Sequence, residues 1–150
     1  MTEKQIRQHL VIIDGNAIIH RAYHALPPMT TKDGTMVNAV FGFTSTLLKV
    51  IQDIKPTHLA VTFDVAGKTF RDDLYEKYKA TRVKADQDLY DQIPLVYRIV
   101  EAFGIPIYTK EGYEADDIIG TIANNLEIRN SKFEITIVTG DMDMLQLVDD

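Results

Sequence analysis

The chain is 150 residues long, lacks cysteine, and carries 22 acidic against 16 basic residues, a formal charge of −6 with neutral histidines. A 45% hydrophobic, 25% charged composition is that of an ordinary globular domain; it excludes disordered, collagenous and coiled-coil classes, and the missing thiols exclude disulfides, thiolate metal sites and a cysteine nucleophile. No apolar run approaches the roughly 18 to 20 residues of a membrane span, and Met1 to His9 holds no signal-type apolar stretch, so a cytoplasmic protein without a membrane partner is expected.

Leu10 to Ile13 is a short apolar run that stops at Asp14, which reads as a buried strand followed by a Gly15-Asn16 turn. From Asn38 to Ile54, the residues Val40, Phe43, Leu47, Val50, Ile51 and Ile54 fall on one helical face, giving a helix of about four turns that Pro56 closes. Thr57 to Phe63 is rich in β-branched and aromatic residues and again stops at a carboxylate, Asp64, which gives a second strand. Leu89, Ile93, Val96, Tyr97, Val100 and Phe103 mark a second helix, with Pro94 opening its regular part or kinking it, and Gly104 at the C-cap position. Ile105 to Tyr108 is a third strand. Ala115, Ile118, Ile119, Ile122 and Leu126 then mark a third helix, and Glu134 to Val138 is a fourth strand running into Thr139-Gly140-Asp141. This alternation, without repeat or linker, predicts one α/β domain over 1–150: a mainly parallel sheet between two helical layers, with ligands beyond the carboxyl ends of the strands.

That edge is where acids collect. Asp14, Asp64, Glu114, Asp116, Asp117, Asp141 and Asp143 all follow predicted strand ends. Each singly has an ordinary place in a turn or a first helical turn, but together on one rim they repel unless a cation or shifted pKa values compensate. With these seven set aside, the other 15 acids are outnumbered by the 16 basic residues, so the acidity belongs to the rim rather than to the whole surface. An all-oxygen set, with no histidine at ligand spacing, selects Mg²⁺, with Mn²⁺ as a substitute, over zinc or copper. Paired ions of this kind serve in-line phosphodiester hydrolysis. Competing motifs are absent: there is no G-x-G-x-x-G, Walker A or G-x-S-x-G, and Asp14-Gly15-Asn16 lacks the second aspartate of a phosphoaspartyl hydrolase. His9, His20, His24 and His58 are scattered and are assigned no role.

Between Lys68 and Lys84 lie Lys68, Arg71, Lys77, Lys79, Arg82 and Lys84, interleaved with Phe70, Tyr75 and Tyr78. Asp72, Asp73 and Glu76 in the same stretch allow a plain solvated helix face. Its place beside Asp64 favours phosphate contacts with ring stacking on bases, and Arg21 and Tyr23, just after Asp14, extend the same surface.

These blocks resemble a known family. Asp14-Gly15-Asn16 with Arg21-Ala22-Tyr23-His24-Ala25, Phe63-Asp64, Phe70-Arg71, Tyr78-Lys79-Ala80-Thr81-Arg82, Gly112-Tyr113-Glu114-Ala115-Asp116-Asp117-Ile118-Ile119-Gly120 and Thr139-Gly140-Asp141-Met142-Asp143-Met144 occur in the order found in bacterial 5′-nuclease domains. This is the amino-terminal 5′→3′ exonuclease domain of DNA polymerase I, related to flap endonucleases. The resemblance implies a PIN-like three-layer core, a two-metal Mg²⁺ site and cleavage of branched or nicked DNA near a 5′ end or flap, in replication and repair. It implies the seven carboxylates as metal ligands, Lys79 and Arg82 as catalytic residues on the scissile phosphate, and Arg21, Tyr23, Arg71 and Tyr78 as DNA-binding residues. A fused or separate DNA polymerase is the implied partner. The family completes its metal site with further aspartates and a helix-three-turn-helix element downstream, so the expectation is an amino-terminal portion, weakly active or inactive alone. A PIN-type ribonuclease and a non-catalytic module binding branched nucleic acid are the alternatives.

Overall fold

The computed structural model describes residues 8–65, 67, 69–74, 85–129 and 133–148. Their elements run in the order β1 (Gln8–Asp14), α1 (Gly15–Ala25), α2 (Asn38–Ile54), β2 (His58–Thr62), α3 (Phe70–Leu74), α4 (Gln87–Ala102), β3 (Ile107–Tyr108), α5 (Ala115–Arg129), β4 (Phe133–Val138) and a 3₁₀ helix (Met142–Leu147). The unbroken apolar run of β1 has no polar face to turn to water, and it lies inside the sheet. The strand order is β3-β2-β1-β4, with every pairing parallel.

Alternate residues of β1 serve two different cores, as the period of two in a strand requires. Val11 and Ile13 pack with Ile18 and Ile19 of α1, Phe43 and Leu47 of α2, and Leu89, Val96 and Val100 of α4. Leu10 and Ile12 pack with Ile119 of α5 and Met144 of the 3₁₀ helix. The result is a three-layer α/β/α sandwich, as expected from the alternation. Among the described residues no helix is long and apolar enough to cross a membrane.

The helix read over Asn38 to Ile54 is observed with those bounds, and Gly104 follows α4 at φ +66°, the left-handed conformation of a C-cap glycine. Pro94 lies inside α4, which begins two residues before the first apolar marker, Leu89. The N-terminus of α2 has no cap of its own. Gln92, buried in α4, supplies one: its Oε1 accepts from the backbone N–H of Ala39 at 2.8 Å and of Val40 at 3.3 Å. Its Nε2 donates to Asn38 Oδ1 at 3.1 Å.

Two local expectations change. Gly15-Asn16 is not a turn: α1 starts at Gly15, because Asp14 caps it by accepting from the Ala17 N–H at 3.1 Å and Ile18, Ile19 and Ala22 bury one face. The third strand is only Ile107–Tyr108; Pro106, which has no N–H for a ladder, still accepts from the Val61 N–H through its carbonyl. After β4 the chain turns into the 3₁₀ helix, with Asp141 as its N-cap accepting from the Asp143 N–H at 2.9 Å.

Candidate active site

The sheet register brings the first acids together. Ile13 pairs with Val138, so the residues that follow, Asp14 and Thr139, emerge side by side at the carboxyl edge. The Thr139 hydroxyl donates to Asp14 Oδ2 at 2.8 Å, and Thr139 Oγ1 in turn accepts from the Asp141 N–H at 3.0 Å. Asp14 is only 3% exposed. Burial pushes its carboxyl above the usual range, the bonds from Ala17 and Thr139 pull it down, and the charges of Asp64 and Asp141 push it up again.

Asp64 leaves β2 on the neighbouring strand. Its backbone N–H donates to Asn16 Oδ1 at 3.2 Å, and its Oδ1 accepts from the backbone N–H of Ala115, the first residue of α5, at 2.7 Å. A carboxylate from one strand end thus caps the helix that follows another.

Asp116 and Asp117, adjacent in sequence, meet opposite surroundings. Asp116 accepts no hydrogen bond among the described residues. Burial and the charges of Asp14, Asp141, Asp64 and Glu114 push its carboxyl up to about 6. Asp117 has both oxygens engaged: Arg71 meets them at 2.6 and 2.7 Å in a two-pronged pair, and the Glu114 N–H donates to Oδ2 at 3.0 Å. Arg71 also lies 3.8 Å from Glu114, with its guanidinium 4.6 Å from the centre of the Phe70 ring. Arg71, Glu114, Asp116, Asp117, Met142, Asp143 and Gln146 line an open cleft of about 510 Å³.

The rim read from the sequence is therefore assembled from four strand ends. Asp14, Asp64, Glu114 and Asp141 all act on the charge of Asp116, while Asp143 reaches the cleft from the 3₁₀ helix. Among the described residues no group of three acids or histidines is already arranged to hold an ion. Arg71, expected to contact DNA, is committed to Asp117 and Glu114. Tyr23 donates to Asp86 at 3.2 Å and packs against the larger core, and the Arg21 side chain runs beside Gly140, next to Asp141. Tyr78, Lys79 and Arg82 lie outside the described residues. Asn16 and Thr139, which fix Asp64 and Asp14, stand in the sequence only as letters of motifs. Nothing in their local sequence announces partners 48 and 125 residues away.

Residues 9–150 match the family model described as the 5′-3′ exonuclease, N-terminal resolvase-like domain. The chain belongs to that family. This exonuclease-family domain is 47% identical over 140 residues to DNA polymerase I of Caldicellulosiruptor bescii, covering 93% of this chain and 16% of the relative. It is 42% identical over 150 residues to DNA polymerase I of Bacillus subtilis, covering 100% and 16%. Among solved structures it superposes on a phage T5 protein co-crystallized with metal ions at a TM-score of 0.76, with 17% identity and coverage of 95% and 53%. The T5 5′-exonuclease with bound zinc gives 0.74, 18%, 95% and 53%. A complex of T5 flap endonuclease with DNA and metal ions gives 0.74, 17%, 95% and 53%. The exonuclease-family domain thus spans about one sixth of the polymerase relatives and about half of the T5 chain, whose fold it shares.

Proposed function

We propose that this domain is the metal-binding part of a structure-specific 5′-nuclease, hydrolysing DNA phosphodiesters near a 5′ end or flap by a two-metal Mg²⁺ mechanism in replication and repair. The observation that carries the reading is Asp116: burial, and after it the charges of four carboxylates from strand ends and loops, hold it at about 6, and a divalent cation relieves the repulsion among them. The donor chemistry fits such an ion, because Asp14, Asp64, Glu114, Asp116, Asp141 and Asp143 offer only hard oxygen atoms. The family membership and the T5 neighbours crystallised with divalent metal ions and with DNA support the same reading.

Bound Mg²⁺ would supply Lewis-acid activation of water and neutralisation of charge at the phosphate. The chain's own residues do the rest. Thr139 and the α1 cap hold Asp14 in one orientation, and the α5 cap does so for Asp64. Lys79 and Arg82 grip the scissile phosphate, Tyr78 stacks on a base, and Arg21 and Tyr23 border the substrate. The partners are nicked or branched DNA and a fused or separate polymerase. Because the chain spans 53% of the T5 nuclease chain, weak turnover is expected from these 150 residues alone.

A labelled 5′-flap duplex incubated with the chain and Mg²⁺ tests this. Slow cleavage near the flap junction, lost in Asp116→Ala and Asp141→Ala and absent with EDTA, is expected. Preferential cleavage of single-stranded RNA would replace the reading with that of a PIN-type ribonuclease, and tight flap binding without turnover under Mg²⁺ or Mn²⁺ with a non-catalytic module.

A further inference from the structure

Not every cation at a carboxylate rim has to be a metal ion. Asp117 has every oxygen occupied, by two guanidinium nitrogens and one backbone N–H, whereas Asp116 beside it has no hydrogen-bond partner among the described residues. Arg71 sits on α3, its guanidinium lying against the Phe70 ring, and reaches α5 across 46 residues of sequence. The Phe70 N–H also donates to the Gly112 carbonyl at 3.0 Å, so backbone and side chain together join α3 to the loop before α5.

We propose that Arg71 is a positioning residue that acts as a resident counter-cation, fixing Asp117 in an ion pair so that Asp117 is not a metal ligand. Divalent ions then go to the other carboxylates of the rim, Asp14, Asp64, Glu114, Asp116, Asp141 and Asp143. A planar fork matches both oxygens of a carboxylate at once, which an ammonium cannot do, so lysine is not an equivalent replacement. Removal of the guanidinium takes one positive charge away from Asp117 and Glu114 on the wall of the cleft and makes that wall more attractive to a further cation. The inference rests on the rim being the metal site, as proposed above.

Calorimetric titration of Mn²⁺ into the purified 150-residue chain, without DNA, tests it. Arg71→Gln is expected to bind Mn²⁺ about tenfold more tightly or to take up one further ion, and Arg71→Lys to lie between it and the unaltered chain. The charge-neutral pair Arg71→Gln with Asp117→Asn is expected to return to the parent ion count and affinity. Unchanged binding in Arg71→Gln, or a gain that survives in the pair, overturns the proposal. So does loss of an ion in the pair, and that arm decides alone if Arg71→Gln does not fold by circular dichroism. Failure of the metal-rim reading looks different: Asp116→Asn then leaves the parent Mn²⁺ binding intact.

Discussion

Asp64 at the end of β2 and Ala115 at the start of α5, 51 residues apart, are joined by a 2.7 Å hydrogen bond from the helix N–H to the carboxylate. One side chain is thus both a helix cap and a member of the acidic rim, and the two roles separate by substitution. Asp64→Asn keeps an acceptor oxygen and is expected to hold stability within about 0.5 kcal/mol while weakening Mn²⁺ binding; Asp64→Ala is expected to lose about 1 kcal/mol as well. Urea unfolding and Mn²⁺ titration on both variants check this. A cap role is refuted if Ala and Asn unfold at the same urea concentration.

Asp116 links stability to pH. Its folded pKa of about 6 lies above the ordinary 3.8, so protonation favours the folded state. This contribution is present in full below about pH 3.8 and is lost as pH rises through about 6. Asp116→Asn, which cannot ionise, is therefore expected to melt about 3 °C higher than the parent at pH 7.5 without metal, with the gap closing near pH 4. Mg²⁺ is expected to stabilise the parent and not the variant. Thermal melts at the two pH values, with and without Mg²⁺, give the answer; a gap of equal size at both pH values contradicts the account.

Gln92 carries a structural prediction. It is 1% exposed, caps α2 and bonds Asn38, which is itself buried and donates to the Tyr23 carbonyl. Gln92→Leu removes the acceptor of the Ala39 N–H and the donor to the Asn38 amide oxygen and is expected to cost about 2 kcal/mol or more. Gln92→Glu keeps the acceptor and is expected to destabilise chiefly by burying charge, so its cost falls at low pH. Chemical denaturation of the two variants distinguishes these causes.

Gly15 has to be glycine for a steric reason. A Cβ there would lie 2.2 to 2.7 Å from three ring atoms of Phe63, a buried side chain stacked on Tyr97 at 4.2 Å. Gly15→Ala is expected to cost about 1 to 3 kcal/mol and to weaken metal binding, since the displaced ring belongs to the residue next to Asp64 in the chain, and Gly15 itself follows Asp14. Tm and Mn²⁺ affinity are the measurements. A variant as stable as the parent would show that the ring has room to move.

The basic segment should act on turnover alone. Lys79→Ala and Arg82→Ala are expected to reduce flap cleavage about 100-fold and to flatten its salt dependence, while leaving Mn²⁺ binding to the chain unchanged. Single-turnover assays beside calorimetry check the separation; a parallel loss of Mn²⁺ affinity would place these residues in the metal site instead.

Strand ends, the helix of Asn38 to Ile54, the Gly104 cap and the acidic composition of one edge were all legible in the sequence. Each depends on residues a few positions apart, where a period of two or 3.6 shows directly. The same local reasoning misread Gly15-Asn16, because turn propensity is weaker than a carboxylate cap plus a buried helical face. The division of labour within the rim was not legible at all. Asp116 and Asp117 are neighbours of one type, yet helical geometry turns them roughly 100° apart. One then faces other carboxylates and the other faces Arg71. The sequence determined which chemistry collects at the edge of the sheet; the strand order β3-β2-β1-β4 decided which acid meets which partner, because charge and hydrogen bonding act through space rather than along the chain.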